Sequence, residues 1–188
     1  MLKVSLVCAA ALCTLASQAA ADDFHLTADG RHEAAPEALG HMAPLIGDWH
    51  IEWQSLDENG EVQARGEADW HWRWILDGHA VQDVWLNPSL SQEVERRFRG
   101  TNLRTFNSET GQWEMIWVTN QPPGGATHYT ATSTPERIEM YPVEEPQSNR
   151  IIFYNMTGDH FDWVSEDSAD GGESWTPTLR ITGERVSD

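Results

Sequence analysis

Apolar and polar side chains alternate one by one along most of the chain after Gly47. This period of two is typical of β-strands, whose successive side chains point to opposite faces of a sheet. Turn-forming residues, such as those at 77–78 and 122–125, interrupt the alternation. Ten extended runs result, at residues 49–56, 62–76, 79–86, 98–106, 112–119, 126–133, 137–143, 150–157, 160–166 and 174–186. The pattern predicts an all-β chain.

Short connections between these runs predict that neighbours in sequence pair side by side and antiparallel. Ten such strands leave two exposed edges unless the sheet closes, and an up-and-down β-barrel of about ten strands is the simplest closure. Before the strands, residues 37–46 predict one short N-terminal helix, with Leu39, Met42 and Leu45 on one face. No repeat or linker divides the chain, so we expect a single β-barrel domain at 37–188, after a flexible leader at 22–36.

One face of the predicted sheet is mainly aromatic. The chain holds ten tryptophans, and in the second run three of them alternate with polar residues and so share one face. A barrel of about eight or more strands is wide enough to hold a small ligand. We predict that these rings line an apolar ligand-binding interior, with complete filling of the core as the alternative. The predicted ligand-binding residues are Trp53, Trp70, Trp72, Trp74, Trp85, Trp117 and Tyr129.

The opposite face of the second run carries a polar stripe that includes Glu67, Asp69 and His71. One interpretation is a catalytic site for proton transfer or hydrolysis, with His71 titrating near neutral pH. The favoured interpretation is a solvated outer face with cross-strand ion pairs, because charged positions on alternating strands usually face water. The sequence leaves open which face of the strand points inward.

The first 21 residues have the pattern of a bacterial secretory signal peptide. Lys3 supplies the positive start, an apolar stretch follows, and three alanines ending at Ala21 offer a cleavage site. We therefore expect cleavage after Ala21 and a periplasmic or secreted protein, with no membrane insertion after cleavage. Both cysteines, Cys8 and Cys13, lie within this segment. We expect no disulfide, thiol chemistry or cysteine-based zinc site in the mature chain.

The chain carries 12 basic and 30 acidic residues, a formal net charge of −18. Repulsion from a surface of this sign disfavours nucleic acid and anionic membranes as partners. The histidines are scattered without the spacing of a metal-binding helix, so no metal site is predicted. The chain also lacks a nucleophile elbow, a phosphate loop and a dinucleotide fingerprint. A small apolar molecule is the expected partner, and the oligomeric state stays open.

The motif Gly47-Asp48-Trp49 resembles the Gly-x-Trp signature of lipocalins and other calycins. In that family the tryptophan closes one end of the barrel, an arginine of the last strand packs across it, and Arg185 is placed to be this partner. Two further segments, at 75–85 and 168–175, look like the calycin-like domain of unknown function 1579. The resemblance covers about residues 39–186. It implies a β-barrel with a cavity, gives Gly47, Trp49 and Arg185 structural roles, and implies no reaction.

Ser168 to Trp175 also matches the Asp-box pattern, which braces hairpins in sialidase propellers. Asp170 is expected to accept hydrogen bonds across this turn and Trp175 to pack beneath it, so both residues are predicted to be structural. Nitrobindin-like haem carriers, a related barrel type, ligate iron through a histidine on a late strand. The last predicted strand here has no histidine, and His160 lies one strand earlier. No cofactor is therefore predicted, and haem is disfavoured.

These observations together predict an exported, lipocalin-like protein that binds a small, mainly apolar ligand in a tryptophan-lined barrel interior. The first alternative is an enzyme with a polar barrel site around His71, Asp69 and Glu67. The second alternative is a non-binding structural or protein-interaction domain, which an exposed aromatic patch on the exterior would favour. The sequence does not identify the ligand.

Overall fold

The computed structural model describes residues 27–187, so the predicted signal peptide lies outside the described residues. Eleven strands in this part of the chain form one antiparallel sheet. They are β1 (Thr27–Ala28), β2 (Gly47–Leu56), β3 (Val62–Ile75), β4 (Ala80–Asn87), β5 (Phe98–Asn107), β6 (Gln112–Thr119), β7 (Ala126–Thr134), β8 (Arg137–Pro142), β9 (Asn149–Tyr154), β10 (His160–Asp167) and β11 (Thr176–Arg185).

Each strand from β2 onward pairs with the next strand in the chain, and β11 returns to pair with β2. The closing register runs from Leu179 opposite Ser55 to Arg185 opposite Trp49. Closure leaves these ten strands without a free edge. The predicted fold class, an antiparallel up-and-down barrel of ten strands, is thus confirmed. The two-residue β1 lies outside the ring and pairs with the end of β3.

The short segment before the barrel is a 3-10 helix, Glu37–Leu45, in place of a regular helix. Pro44 lies inside it and removes one backbone donor, which disfavours continued α-helical hydrogen bonding. The helix buries the predicted apolar face of Leu39, Met42 and Leu45. A second 3-10 turn, Leu76–Gly78, ends the long strand one residue earlier than the alternation predicts.

The aromatic face of β3 points into the barrel. Trp70, Trp72 and Trp74 are each at most 5% exposed, and they join one cluster with buried residues from the opposite strands. Edge-to-face packing is common in this cluster; the rings of Trp70 and Trp85, for example, cross at 89° with centroids 5.1 Å apart. Each buried tryptophan removes about 150–250 Å² from water, so this face supplies much of the driving force for folding.

One end of the barrel is closed by Trp49, which is fully buried. The Trp49 indole donates a hydrogen bond to the Leu45 carbonyl at 2.7 Å, and the Arg185 guanidinium lies over the ring at 4.2 Å. Arg185 also donates to the carbonyls of Ile46 at 2.7 Å and Pro44 at 2.9 Å. Gly47 is required here, because a Cβ atom would lie 2.0 Å from the guanidinium and the residue has a φ of +137°.

The described part of the predicted leader, residues 27–36, lies against this closed end. Thr27 and Ala28 pair with β3, and the His32 amide donates to the Gly78 carbonyl at 3.1 Å. The His32 and His79 rings stack with centroids 4.5 Å apart. The segment therefore adds a layer over the turn that follows β3.

Candidate functional site

The interior of the barrel contains a cavity of about 360 Å³. Its wall is mainly aromatic and aliphatic, and among residues 27–187 Arg104 is the only charged side chain that lines it. The lining residues are Trp53, Trp70, Trp85, Asn87, Phe98, Asn102, Arg104, Trp117, Tyr129, Met140, Ile151, Phe153, Trp163, Leu179 and Ile181. A volume of this size falls in the range of small-molecule sites, roughly 300–1,000 Å³.

Two glycines allow large indoles to lie against the barrel wall. A Cβ atom on Gly66 would be 2.6 Å from the Trp53 ring, and one on Gly100 would be 2.1 Å from the Trp117 ring. Real side-chain atoms do not approach this closely, so any larger residue at either position would push the indole inward. The glycines therefore preserve the open volume between the two tryptophans.

A buried ion pair lies beside the cavity. Asp83 on β4 and Arg104 on β5 are at most 1% exposed, and Arg104 Nη1 donates a hydrogen bond to Asp83 Oδ2. The Asn102 amide, oriented to satisfy both its groups, accepts from Arg104 Nη2 at 3.1 Å and donates to the Ile116 carbonyl at 3.0 Å. The guanidinium also stacks over Trp72 at 4.2 Å. Burial raises the pKa of Asp83 and lowers the pKa of Arg104, and each partner's charge opposes the shift of the other.

Several buried polar atoms around the cavity have no hydrogen-bond partner among the described residues. They are the indole nitrogens of Trp53, Trp70 and Trp72, together with Asp83 Oδ1 and Arg104 Nε. Buried polar groups are paired in most proteins, because an unpaired group loses its hydration without replacement. These atoms are covered by neighbouring side chains and do not face the open volume of the cavity. The Trp70 indole lies close enough to the Asp83 carboxylate to oppose the rise of the Asp83 pKa.

Five of the seven predicted ligand-binding residues lie on the cavity wall, namely Trp53, Trp70, Trp85, Trp117 and Tyr129. Trp72 and Trp74 are buried in the core but do not line the cavity. Sequence reasoning missed the polar residues Asp83, Asn102 and Arg104. The sequence pattern could have indicated them. Each is a polar residue at an inward-facing position of its strand, where most of the other inward-facing residues are apolar.

The polar stripe on β3 lies on the outer face of the barrel. His71 Nδ1 is 2.6 Å from Asp48 Oδ1, and Arg73 donates to the same carboxylate at 2.7 Å. Burial alone would raise the pKa of Asp48, but these two hydrogen bonds lower it below its usual value. Asp69 accepts from Ser89 Oγ at 3.0 Å, and Gln92 Nε2 lies 3.4 Å from a Glu67 oxygen. The structure agrees with the favoured interpretation of an outer face with ion pairs. It does not support the alternative of an inward catalytic group at Glu67, Asp69 and His71, because the tryptophans occupy the inward positions.

No histidine among residues 27–187 lines the cavity, and that part of the chain holds no cluster of three or more potential metal ligands. His160, the nearest counterpart of a late-strand haem ligand, is at the barrel exterior, where Nδ1 is 2.8 Å from Glu184 Oε1. The described residues therefore do not fit haem ligation by an imidazole from the cavity wall.

We expect His160 to give the protein a measurable pH dependence. The hydrogen bond to Glu184 raises the pKa of His160 above 6.5, against a smaller opposing effect of burial. The contribution of the protonated His160 to the free energy of unfolding is therefore fully present below pH 6.5. It is lost as the pH rises through the folded-state pKa of His160. Its size is below about 1 kcal/mol, because the pair is partly exposed. Urea unfolding of His160→Gln between about pH 5.5 and pH 8.5 should show a flatter profile than the parent; an unchanged profile would contradict this assignment.

The Asp-box segment forms a tight turn between β10 and β11. Asp170 accepts from the Ser174 amide at 2.9 Å and from Ser174 Oγ at 2.6 Å, while Ser168 Oγ donates to it at 2.8 Å. These bonds lower the pKa of Asp170 to about 2. Trp175 lies 4.4 Å from the Arg150 guanidinium, on the outer surface. These hydrogen bonds fix the turn, and no residue of the segment 168–175 is among the described residues that line the cavity.

Within residues 27–187, no helix is long and apolar enough to cross a membrane.

Comparison with known proteins supports the fold. No family model matches the chain, and no curated protein matches it significantly. Among solved structures, that of Rv2717c from M. tuberculosis superposes with a TM-score of 0.54 at 11% identity, covering 81% of this chain and 99% of that chain. The S-type phycobiliprotein lyase CPES from Guillardia theta gives a TM-score of 0.45 at 11% identity, covering 78% of this chain and 91% of that chain. With the closed ten-strand ring, the likeness to Rv2717c shows a calycin-like fold.

Proposed function

We propose that this protein binds a small, mainly apolar molecule inside the barrel. The observation that carries the proposal is the cavity of about 360 Å³, with a wall built largely from tryptophan, phenylalanine and aliphatic side chains. Transfer of apolar ligand surface from water to such a wall contributes about 25 cal/mol per Å². The seating of indoles on Gly66 and Gly100 supports the proposal, because it keeps the interior open where larger residues would fill it.

The proposal includes export and a family. The pattern of residues 1–21 supports cleavage after Ala21 and a periplasmic or secreted location. The ordered motifs at 47–49, 75–85 and 168–175 support membership of the calycin-like domain of unknown function 1579. These are inferences from the sequence that accompany the ligand-binding proposal and do not depend on it.

The two alternatives receive less support. An enzyme built on Glu67, Asp69 and His71 lacks an interior site, since the stripe faces outward. An interaction domain would be favoured by an exposed aromatic patch, whereas the large hydrophobic residues exposed within residues 27–187 are all aliphatic. Ligand binding has the stronger support, because the barrel contains a formed cavity.

Titration of tryptophan fluorescence tests the proposal. A panel of fatty acids, retinoids, quinones and haem samples apolar ligands of different shape and charge. Binding of a panel member should change the emission of the cavity tryptophans and saturate at one equivalent per chain. A flat response to every member, together with an experimental structure in which the barrel is filled, would overturn the proposal.

A cavity-filling substitution should weaken binding without unfolding the barrel. Leu179 lines the cavity, and the adjacent Arg180 is exposed on the outer face of the same strand. Leu179→Trp adds volume to the interior and should weaken the tightest panel ligand at least about tenfold, or about 1.4 kcal/mol. Arg180→Trp adds the same side chain outside and should leave affinity unchanged. Equal affinities of the two variants, measured by calorimetry, would place the ligand elsewhere.

A further inference from the structure

The cavity has a buried inner part and a partly exposed mouth. The inner part includes Met140 and Phe153, which are each 1% exposed. The mouth includes the partly exposed lining residues Trp53, Asn87, Phe98, Trp117, Tyr129 and Leu179. Strand β2 runs from Trp49, which closes one end of the barrel, to Trp53. The mouth therefore lies at the end of the barrel opposite Trp49.

Asn87 and Tyr129 bring polar groups to the mouth. Asn87 follows the inward-facing Trp85 by two residues on β4, so its amide also points into the barrel. Tyr129 lines the same cavity from β7. Neither side chain makes a hydrogen bond within residues 27–187, and burial alone raises the pKa of Tyr129. Their polar atoms keep accessible surface, whereas the indole nitrogens of Trp53 and Trp70 are covered. A ligand in the mouth would therefore meet an amide and a hydroxyl that are free to bond.

The inner part offers a ligand no such group. The Arg104 guanidinium is bonded to Asp83 and, at 3.1 Å, to the Asn102 amide. The unpaired polar atoms that remain there among the described residues, such as Trp70 Nε1 and Arg104 Nε, are covered by neighbouring side chains. A polar group of a ligand would lose its hydration in the inner part without replacement. The apolar end of a ligand therefore belongs in the inner part and its polar end in the mouth.

The charge of the wall favours an uncharged polar end. Of the described residues, only Arg104 lines the cavity with a charge, and Asp83 matches it. Three arginines within residues 96–99 lie near the mouth in sequence, but none of them lines the cavity. A carboxylate would find no unmatched cation on the wall, and the net charge of −18 would repel it at long range. An amide and a tyrosine hydroxyl each donate and accept, which suits a ligand alcohol or amide.

We propose that the ligand is an amphipathic molecule whose uncharged alcohol- or amide-type head hydrogen-bonds with Asn87 and Tyr129 at the mouth, while its apolar body fills the inner part. This inference rests on the proposed function and adds the orientation of the ligand and the chemical class of its head. An apolar cavity of about 150 Å³ holds one benzene molecule, and the cavity here is about 360 Å³. A body of about two fused rings with a short polar arm matches that volume.

Three naphthalene probes of similar shape test the head group: 2-(2-naphthyl)ethanol, 2-propylnaphthalene and 2-naphthylacetate. Isothermal titration calorimetry at neutral pH should give the alcohol at least about tenfold tighter binding than the carboxylate, equal to about 1.4 kcal/mol. A smaller preference, or failure of all three probes while a panel member binds, would overturn the inference. If no probe and no panel member binds, the proposed function itself fails.

The double substitution Asn87→Leu with Tyr129→Phe tests the two hydrogen-bonding residues. It removes both polar groups and keeps side chains of similar size, so the propyl probe should still bind. The affinity for the alcohol relative to the propyl probe should fall at least about fivefold, equal to about 1 kcal/mol. Tyr154→Phe is the control, since Tyr154 does not line the cavity and its loss of a hydroxyl should leave this ratio unchanged. A smaller fall while the propyl probe binds would overturn the inference and leave the binding function standing.

Should the double variant not fold, NMR of the parent complex with the alcohol decides, because it reads the orientation directly. Nuclear Overhauser contacts should join the naphthalene protons to the methyl group of the buried Met140. The methylene beside the hydroxyl should instead contact the methyl groups of Leu179 at the mouth. The reverse pattern, with the hydroxyl-bearing arm against Met140, would overturn the inference.

Discussion

Replacement of Asp83 with leucine is expected to lower the free energy of unfolding by about 3–5 kcal/mol. The substitution leaves the Arg104 guanidinium fully buried with no counter-charge, since no other acidic side chain forms an ion pair with it among the described residues. Arginine cannot become neutral near pH 7 by losing a proton, whereas a buried carboxylate can become neutral by gaining one. Urea unfolding monitored by circular dichroism measures the loss.

The double substitution Asp83→Leu with Arg104→Met should recover most of this loss, because buried ion pairs replaced by apolar residues are often neutral or stabilising. The control is Arg137→Met, which breaks a partly exposed pair with Glu139 and should cost less than about 1 kcal/mol. If Asp83→Leu costs no more than that control, or if the double variant is no more stable than the single one, the buried pair does not behave as described.

Replacement of Trp49 with alanine is expected to cost about 3–5 kcal/mol as well. The ring is fully buried, packs edge-on against Phe161 at 4.8 Å and donates to the Leu45 carbonyl at 2.7 Å. Its loss also leaves Arg185 without the surface on which the guanidinium rests at 4.2 Å. The closed end of the barrel would then lose both its central side chain and the anchor of its capping arginine.

Trp175→Ala is the matched control, since this ring is partly exposed and packs against Arg150 at 4.4 Å; the loss of that contact should cost about 0.5–1 kcal/mol. A double-mutant cycle between Trp49→Ala and Arg185→Ala should give a coupling energy of about 0.5–3 kcal/mol. Equal losses for the two tryptophans, or strict additivity in the cycle, would contradict the closing role of Trp49.

The sequence predicted strands such as β3 well, because their inward side of the sheet is buried and their outward side is solvated. The alternation around Trp70 in β3 is strict, so it indicated both the extended conformation and the shared face of the tryptophans. The type of the N-terminal helix was harder to predict, because Glu37–Leu45 combines an apolar face with a proline that prevents regular α-helical hydrogen bonding. Local pattern favoured a helix there but did not distinguish its 3-10 geometry.

The site was only partly predictable. Alternation shows that a side chain points inward but not how deep along the barrel it lies, so Trp72 and Trp74 were predicted on a wall that they do not reach. The pairing of Asp83 with Arg104 depends on the register between β4 and β5, which are joined by residues 88–97. The open volume depends on how Trp53 and Trp117 seat against glycines of neighbouring strands. These features arise from tertiary packing, which no single run encodes.

The most direct test of ligand binding inside the barrel is an NMR titration of the ten tryptophan indole N–H signals with the tightest panel ligand. Binding inside the barrel should shift the signals of the wall residues Trp53, Trp70, Trp85, Trp117 and Trp163, and leave Trp113 and Trp175 in place. Shifts confined to Trp175, or no shift with any ligand, would contradict an interior binding site.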